Sequence, residues 1–277
     1  MDAKRAAAAR AEFANKIPLA GGDPYITCVS PGEGAGSMAM RYVSVMTASC
    51  VYQRTYIHTP FRNVGHRPPG YDPQAWDQEW ETFFNLGLDE IQDHPAKAYR
   101  WCYREVSGRE IGLIDWIFRD KYHDSPKPPT SWFEKDEWNL AIHIRRGDAL
   151  EARHRARVTE NATVEELLRG IAARCENPEN KPVRIHVMSE GARADFDFVE
   201  RLDLPCELHL DECPFMSFHH LAMADTLVTA KSTFSYFAGI LNPGQVFYEP
   251  FWHEPLPRWI ELELGAGSIS AEVSSRP

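Results

Sequence analysis

The second half of the chain alternates strand-like apolar runs with helical patterns, and this alternation constrains the fold more than any other feature. Runs such as "LAIHIRR", "RIHVMSE", "CELHL", "TLVTA" and "QVFYEP" are separated by segments such as "TVEELLRGIAARC", "FMSFHHLAMAD" and "STFSYFAGIL". Strands that alternate with helices form a parallel sheet with right-handed crossovers. The pattern therefore predicts an α/β domain that binds its ligand at the carboxyl ends of the strands, near helix N-termini.

The first half predicts a smaller β-loop-α-β unit. A strand over Tyr25–Val29, a glycine loop, a helix over Ser37–Val51 and a strand over Thr55–His58 follow one another. Residues 62–135 are less regular, and they favour helices over Pro73–Leu86 and 106–120. Three prolines in "HDSPKPPTSW" indicate a linker. We expect one domain over residues 1–130 and a second over 131–277, with a frayed tail after Gly265.

Composition excludes several classes of protein. The 277 residues carry a net charge of −10, which argues against nucleic acid as a partner because phosphate binding needs a basic surface. No apolar run reaches the length of a membrane span, and the N-terminus lacks the apolar middle of a signal peptide. The six cysteines form no C-x-x-C pair, which is typical of reduced thiols. These features predict a soluble, cytoplasmic protein.

Three motifs contain candidate binding residues, and the first is the glycine loop "PGEGAG" between a strand and a helix. Such a loop lets backbone amides approach a phosphate or a sugar, although a plain strand–helix turn explains it equally well. The loop lacks the Lys-Ser/Thr ending of a P-loop. Glu33 within it would repel phosphate, but it could act as a base toward an acceptor hydroxyl.

The second motif is "HIRRGD", at the end of an apolar strand. Adjacent residues of a strand point to opposite faces, so at most one of Arg145 and Arg146 faces a core. One guanidinium could bind a diphosphate through two hydrogen bonds while the other pairs with Asp148. The alternative is a surface arginine beside a structural salt bridge.

The third motif is "TLVTAKSTFSYFAGIL", in which Lys231, Ser232 and Thr233 follow a strand and begin a helix. Hydroxyl groups and unpaired backbone N–H groups at a helix start can bind an anion. Ordinary N-capping by Ser232 explains the motif alone. Its place two strand–helix units after the arginines, in the same predicted sheet, favours a binding role.

Two patterns resemble metal sites, but neither is expected to bind a metal. Asp195-Phe196-Asp197 has the D-x-D form, but it lies in an amphipathic segment with apolar neighbours. His219 and His220 point about 100° apart on a helix, so they do not easily share one ion. We therefore predict no metal site and no cofactor apart from a nucleotide-sugar co-substrate.

Together the three motifs resemble those of the α1,2-, α1,6- and protein O-fucosyltransferase superfamily. "IHIRRGD" is similar to its H-x-R-R-x-D motif, "HHLAMADTLVTAKSTFSYFAGILN" to its later donor-site motif, and "GEGAG" to its N-terminal glycine motif. The resemblance covers roughly residues 30–65 and 138–260. It implies a GT-B-like α/β fold of two Rossmann-type halves with parallel sheets, and an inverting, metal-independent glycosyltransferase. The first half would be the acceptor side, and the second would bind the donor.

The resemblance also implies site residues. Arg145 or Arg146 would hold the donor β-phosphate, His143 would lie near the nucleoside, and Ser232 and Thr233 would contact the diphosphate. The donor-binding set is therefore predicted as Gly34, Gly36, His143, Arg145, Arg146, Asp148, Ser217, Ser232, Thr233 and Phe234. Ser217 occupies the position at which α1,6-fucosyltransferases carry a guanine-reading aspartate. The donor is thus GDP-fucose by resemblance, with a UDP-sugar such as UDP-xylose open.

The expected mechanism is single displacement, in which a carboxylate deprotonates a hydroxyl of a glycan acceptor. Glu33 is the first candidate base, and Asp72 and Glu151 are reserves. Tyr71 and Trp76, near Asp72, could stack on an acceptor sugar or simply pack in a core. Two other classes stay open: a catalytically inactive module that binds a nucleotide or glycan, and a Rossmann-type oxidoreductase, for which "SCVYQRTYIH" offers no clear ribose-binding acid.

Overall fold

The computed structural model describes residues 25–28, 32–92, 99–101, 106–265 and 268–273. The chain divides into two compact units, Met1–Lys127 and Pro128–Pro277. Each unit contains a parallel sheet and helices, so the predicted α/β class is confirmed. Within the described ranges, no helix has both the length and the apolar character needed to cross a membrane.

The first unit is built on a three-stranded parallel sheet of order β2-β1-β3. Its strands are β1 (Tyr25–Cys28), β2 (Thr55–Tyr56) and β3 (Tyr99–Trp101), and its helices are α1 (Ala35–Val51), α2 (Pro73–Phe84) and α3 (Gly108–His123). Helix α2 buries Trp76, Trp80, Phe83 and Phe84. Their spacing puts all four rings on one face of the helix, which explains the density of aromatic residues there.

The second unit is built on a seven-stranded sheet of order β10-β9-β8-β7-β4-β5-β6. All neighbouring strands are parallel except the pair β9 and β10. The strands are β4 (Trp138–His143), β5 (Val183–Ser189), β6 (Cys206–Leu210), β7 (Thr226–Val228), β8 (Gln245–Tyr248), β9 (Ile260–Gly265) and β10 (Ser268–Val273). The α-helices are α4 (Asn161–Ala172), α5 (Pro214–Met223) and α6 (Thr233–Leu241).

Alternate residues of the second sheet face two different layers. One face packs against α4 and the 3₁₀ helix Arg193–Arg201 around Leu140, Ile142 and Val187. On the other face α6 packs closely, since a Cβ added at Gly239 would lie 3.4 Å from Val246 Cγ1. Six parallel strands with helices on both faces form the doubly wound arrangement that the alternating sequence predicts.

Several elements differ from the sequence prediction. Strands β3, β9 and β10 were not predicted, and β10 lies where a frayed tail was expected. The segment that contains Asp195 and Asp197 is a 3₁₀ helix, interrupted at Phe196, instead of an α-helix. Its D-x-D pattern packs as predicted, because Phe196 is buried and Asp197 accepts a 2.8 Å hydrogen bond from Arg201. Val29, at the end of the first predicted strand, lies outside the described residues.

Candidate functional site

The order of the second sheet reverses between β4 and β7. From β4 the chain adds β5 and β6 on one side, then crosses to add β7, β8 and β9 on the other. At such a reversal the two crossover connections leave in opposite directions, and the carboxyl ends of the central strands border an open crevice. The segments that follow β4 and β7 are the "RRGD" and "AKST" motifs, so the fold brings these two motifs to one edge.

Arg145 and Arg146 have different surroundings. The side chain of Arg145 forms an ion pair with Asp148 and is 17% exposed. Arg146 is buried, and its guanidinium donates hydrogen bonds to the Arg145 carbonyl at 3.0 Å and to the Thr159 carbonyl at 3.1 Å. A third bond of 2.7 Å joins it to Asn161 Oδ1. Arg145 is therefore the arginine available to an anion, whereas Arg146 fastens the loop after β4 to the start of α4.

Two serine side chains form hydrogen bonds within the turn between β7 and α6. Ser232 is the N-cap of α6, and its Oγ accepts a 3.3 Å hydrogen bond from the Phe234 amide. Ser235 Oγ accepts a 3.0 Å bond from the Ala230 amide. Thr233 and Phe234 are the first residues of the helix, at the positive end of its dipole. The ordinary capping role of Ser232 is thus present, and the helix start faces the same edge as Arg145.

A small cleft of about 10 Å³ lies between α4 and the ends of β4, β7 and β8. His143 and Arg145 line it, together with Thr159, Val228 and Glu249. His143 Nδ1 is buried and has no hydrogen-bond partner within the described part of the chain. Burial, and then the charge of Arg145, lowers the pKa of His143 to about 3, so its ring is neutral at pH 7. A neutral imidazole with an unused nitrogen suits a polar ligand group.

Glu249 lines this cleft and forms an ion pair with Lys231, and neither residue was in the predicted donor-binding set. Glu249 is 3% exposed, and its Oε1 lies 3.2 Å from Lys231 Nζ. Thr159 donates a hydrogen bond to the same carboxylate. The position of Glu249 directly after β8 is the signal that could have revealed it, since polar residues at the carboxyl ends of parallel strands face the ligand edge. The pair places a second cation beside the cleft.

Aromatic residues after β8 lie against a further arginine. Trp252 is 58% exposed, its ring stacks on Phe251 at 3.9 Å between centroids, and the Arg157 guanidinium lies 4.5 Å from the ring centroid. Burial, and then the charge of Arg145, lowers the pKa of Arg157. The loops after β4 and β8 therefore bring several cations and an open aromatic surface to this part of the second unit.

The predicted residues of the glycine loop are engaged in packing within the first unit. Gly34 is the N-cap of α1, and a Cβ added to it would lie 2.9 Å from His66 Cδ2. The Gly65 amide donates a 2.8 Å hydrogen bond to the Glu33 carbonyl. Gly36 is buried in the first turn of α1. The glycines therefore allow two loops to approach closely.

The three candidate bases have distinct partners. Glu33 accepts hydrogen bonds from Arg41 Nε at 3.1 Å and Arg41 Nη2 at 2.5 Å. Asp72 is the N-cap of α2 and accepts a 2.8 Å bond from the Ala75 amide. Glu151 is exposed between the short 3₁₀ helices Gly147–Leu150 and Ala152–Arg157. Glu33 and Asp72 thus serve structure in the first unit, and Glu151 lies in the second unit.

Three further residues were predicted to contact a ligand: Ser217, Trp76 and Tyr71. Ser217 lies in the first turns of α5 and is half-buried. Trp76 is 3% exposed and packs against Trp80, so it belongs to the core of the first unit. Tyr71 is 39% exposed and contacts the edge of Trp76 at 5.5 Å between centroids. Of the two aromatic residues, Tyr71 has the open surface that an acceptor sugar would need.

The chain is similar to solved structures of glycosyltransferases. It shares 12% identity with the fucosyltransferase NodZ from Bradyrhizobium, at a TM-score of 0.47 over 91% of this chain and 99% of that one. A fucosyltransferase of Arabidopsis thaliana in complex with GDP shares 12% identity, at 0.44 over 100% and 80%. The E. coli heptosyltransferase WaaC with ADP shares 10%, at 0.38 over 86% and 91%. No family model and no curated protein matches the chain.

These solved structures include fucosyltransferases, the class of protein that the sequence motifs resemble. At identities of 10–12% and TM-scores below 0.5, these likenesses assign no activity to this chain.

Proposed function

We propose that the protein is a glycosyltransferase that moves a sugar from a nucleotide-diphosphate donor to a glycan hydroxyl, and that the second unit binds the donor. One observation carries the proposal: the reversal point between β4 and β7 brings Arg145, the unpartnered Nδ1 of His143 and the start of α6 to one edge. A doubly wound sheet binds nucleotides at this place.

The charges at this edge suit a diphosphate leaving group. Arg145 presents a planar set of N–H donors, and Lys231 adds a compact cation that Glu249 orients. The positive end of the α6 dipole adds partial charge at the helix start. These groups would stabilise the negative charge that develops on the diphosphate when the sugar leaves it. They supply this stabilisation in a chain with net charge −10, which would otherwise repel the donor.

The reaction we propose is a single displacement with inversion, and it uses no metal at the reacting centre. The acceptor hydroxyl attacks the anomeric carbon, a carboxylate takes its proton, and the bond to the diphosphate breaks. Glu33 stays the first candidate for this base, although it would have to exchange its Arg41 partner; Asp72 and Glu151 stay reserves. By resemblance the donor is GDP-fucose, and Ser217 leaves a UDP-sugar open.

Thermal-shift measurements with GDP, UDP, GDP-fucose and UDP-xylose test donor binding. A ligand that binds only the folded state at ~100 times its Kd stabilises the protein by roughly 2.7 kcal/mol. We expect one nucleotide series to raise Tm in the wild type and to have no effect on Arg145→Ala. Arg201→Ala is the matched control, because Arg201 is another arginine paired with an aspartate, but it precedes β6 at the amino-terminal edge of the sheet. Loss of the shift in both variants, or in neither, would contradict the proposed donor site.

A second candidate function is a binding module without transfer activity. The engagement of Glu33 by Arg41 and of Asp72 by the α2 cap favours it, because both carboxylates already make structural contacts in the first unit. Transfer or hydrolysis assays on Glu33→Gln, Asp72→Asn and Glu151→Gln separate the two functions. Nucleotide binding without turnover of any donor would establish the module, whereas loss of turnover in one variant with intact binding would identify the base.

A further inference from the structure

A second polar cluster lies away from the donor edge, at the middle of strands β5 and β6 on one side of the second sheet. His186, Glu207 and His209 each place one atom that could bind a metal within 4.8 Å of the other two. Among the described residues, this is the one such group of His, Cys or carboxylate side chains. His186 is on β5, and it pairs in register with Glu207 on the edge strand β6. The three side chains therefore project from one face of two neighbouring strands.

The two histidines approach each other through ring nitrogens. His186 Nδ1 lies 3.2 Å from His209 Nε2. That separation fits a hydrogen bond, and it also fits two ligands of one tetrahedral zinc ion, because Zn–N bonds of about 2.0–2.1 Å place two such nitrogens roughly 3.3 Å apart. The distance alone therefore leaves both arrangements open, and the surrounding hydrogen bonds decide which lone pairs are available.

Asn139 determines the tautomer of His186. Its Nδ2 faces acceptors only: the carbonyl oxygens of Glu134 and Glu137 at 3.2 and 3.3 Å, and Asp225 Oδ2 at 3.3 Å. This fixes the amide so that Asn139 Oδ1 faces His186 Nε2, at 3.3 Å. His186 Nε2 therefore carries the proton, and the lone pair of Nδ1 points at His209. Metal-binding histidines are oriented by the same kind of second hydrogen bond.

Stacking fixes the plane of the second histidine. The His209 ring stacks on Trp132 at 4.1 Å between centroids and 14° between planes. His220, which stacks on the opposite side of Trp132, has both ring nitrogens engaged, by the Met216 carbonyl at 2.8 Å and the Trp132 amide at 3.2 Å. His209 is thus held with Nε2 toward His186, while His220 has no nitrogen left for a ligand.

Glu207 can supply a third ligand atom at little cost. Its Oε2 lies 4.0 Å from His209 Nε2, and the residue is exposed, so its side chain can move. Its ion-pair partner Arg184 is also held by Glu137, through a 2.6 Å bond from Nη2 and a second bond from Nε. Arg184 therefore keeps a carboxylate partner if Glu207 turns toward the histidines.

From this geometry we infer that His186, His209 and Glu207 form a binding site for a divalent cation of the zinc class, with a fourth position for water. Two imidazole nitrogens and one carboxylate are ligands that Zn²⁺ accepts. Burial lowers the pKa of His186 to about 3 and that of His209 to about 4, so both rings are neutral and able to coordinate at pH 7. The prediction of no metal was drawn from His219, His220 and the D-x-D pattern, and it did not consider these strands.

The role of the ion would be structural. It would join the edge strand β6 to β5 at mid-strand, whereas the proposed donor site lies at the carboxyl ends of β4 and β7. The site is independent of the proposed function, because a cation here contacts none of the residues assigned to the donor. Catalysis without a metal at the reacting centre and a structural cation in the sheet are compatible.

Titration of the chelator-treated full chain with Co²⁺, followed by competition with Zn²⁺, tests the site. We expect one Co²⁺ per chain, visible bands typical of a tetrahedral nitrogen and oxygen ligand set, and displacement by Zn²⁺. His209→Phe keeps the stacking on Trp132 but removes the nitrogen, and it should abolish this binding. Glu207→Gln should weaken it at least tenfold. His123→Gln, which replaces an exposed histidine of the first unit, should bind as the wild type does.

Two further measurements distinguish loss of the metal site from loss of folding. Circular dichroism establishes that His209→Phe is folded, and NMR of the histidine ring nitrogens reports the site without any variant. On addition of Zn²⁺, His186 Nδ1 and His209 Nε2 should shift while the nitrogens of His220 do not. Equal affinity in wild type and His209→Phe, cobalt–thiolate charge-transfer bands, or unshifted ring nitrogens at saturating Zn²⁺ would each overturn the inference and leave a histidine–histidine hydrogen bond.

Discussion

Arg145 and Arg146 are adjacent in the chain, but replacing Arg146 should lower stability, whereas replacing Arg145 should remove nucleotide binding. Arg146→Ala removes hydrogen bonds to two backbone carbonyls and to Asn161 from a buried loop, and we expect it to cost about 2–4 kcal/mol of unfolding free energy. Arg145→Ala should remove nucleotide binding with a stability change of about 1 kcal/mol or less, since its ion pair is partly exposed. Urea unfolding of both variants measures the difference. If Arg146→Ala were as stable as the wild type, Arg146 would not be needed to hold the loop after β4 against the start of α4.

Gly147 follows the two arginines with φ +58°, a conformation that other residues adopt only with strain. Gly147→Ala should therefore lower the unfolding free energy by roughly 1–2 kcal/mol. A Cβ would also lie 2.0 Å from Glu190 Oε2, but that contact involves the end of an exposed side chain that can move. The double variant with Glu190→Ala separates the two causes, because it relieves the contact and leaves the backbone strain. If the double variant recovered the full unfolding free energy, the loss would come from the contact with Glu190 and not from backbone strain.

At the scale of single residues, the sequence predicted that two of the motifs lie in the same sheet, but it did not predict the contacts of their individual side chains. Alternation along a strand indicated that only one of the two arginines faces a core, and Arg146 is indeed buried. It could not indicate which one, because β4 ends at His143 and alternation does not extend into the loop. The Glu33–Arg41 pair escaped prediction for a similar reason: the pairing depends on how the loop enters α1, and Arg41 looks like any exposed helical residue.

At the scale of elements, the strands that alternate with helices were predicted, whereas β3, β9 and β10 were not. Helix α1 was expected over Ser37–Val51 and is Ala35–Val51, and strands β4 to β8 occur where apolar runs alternate with helices. Strand β3 has only three residues, and β10 pairs antiparallel with β9 at the sheet edge. Strand β3 pairs with β1, which is distant in sequence, so no local pattern shows it. The cluster of His186 and His209 is likewise visible only once β5 and β6 are in register.

The layer between the second sheet and α5 should make stability depend on pH. Burial is the main cause that lowers the pKa of His186, His209 and His220 from 6.5, to about 3 for the first and about 4 for the second. The folded state then binds fewer protons than the unfolded state below pH 6.5, so stability falls as the pH drops from 6.5 toward 4. Each group can contribute up to about 1.4 kcal/mol per pH unit, less for the hydrogen-bonded pair.

Urea unfolding between pH 7 and pH 5, in the presence of a chelator, measures this dependence. Carboxylates elsewhere also titrate at the acid end, so the informative quantity is the difference between wild type and His209→Phe. The variant lacks one buried base, and its stability should therefore fall less steeply over this range. Identical slopes would show that His209 keeps an ordinary pKa in the folded chain.

At the scale of the whole molecule, a core of its own and three local cations favour the second unit as the one that binds the proposed donor. Residues 128–277 contain 15 Lys and Arg against 24 Asp and Glu, so nine of the ten net negative charges lie in the second unit. Arg145, Arg157 and Lys231 are local cations within it, and they lie in loops that follow strands of its sheet. The core of this unit, around Leu140, Val187 and Phe247, comes entirely from its own residues. A unit with its own core and its own ligand edge should fold and bind without the other.

We therefore expect the fragment Pro128–Pro277 to fold alone and to bind the same nucleotide as the full chain. Its affinity should lie within about tenfold of the full chain, which corresponds to ~1.4 kcal/mol, because the proposed diphosphate contacts all belong to this unit. It should not transfer sugar, since the proposed first base and the predicted acceptor side belong to residues 1–130. Calorimetric titration of fragment and full chain, with Arg145→Ala in both, measures this. A folded fragment that binds no nucleotide would assign essential donor contacts to the first unit.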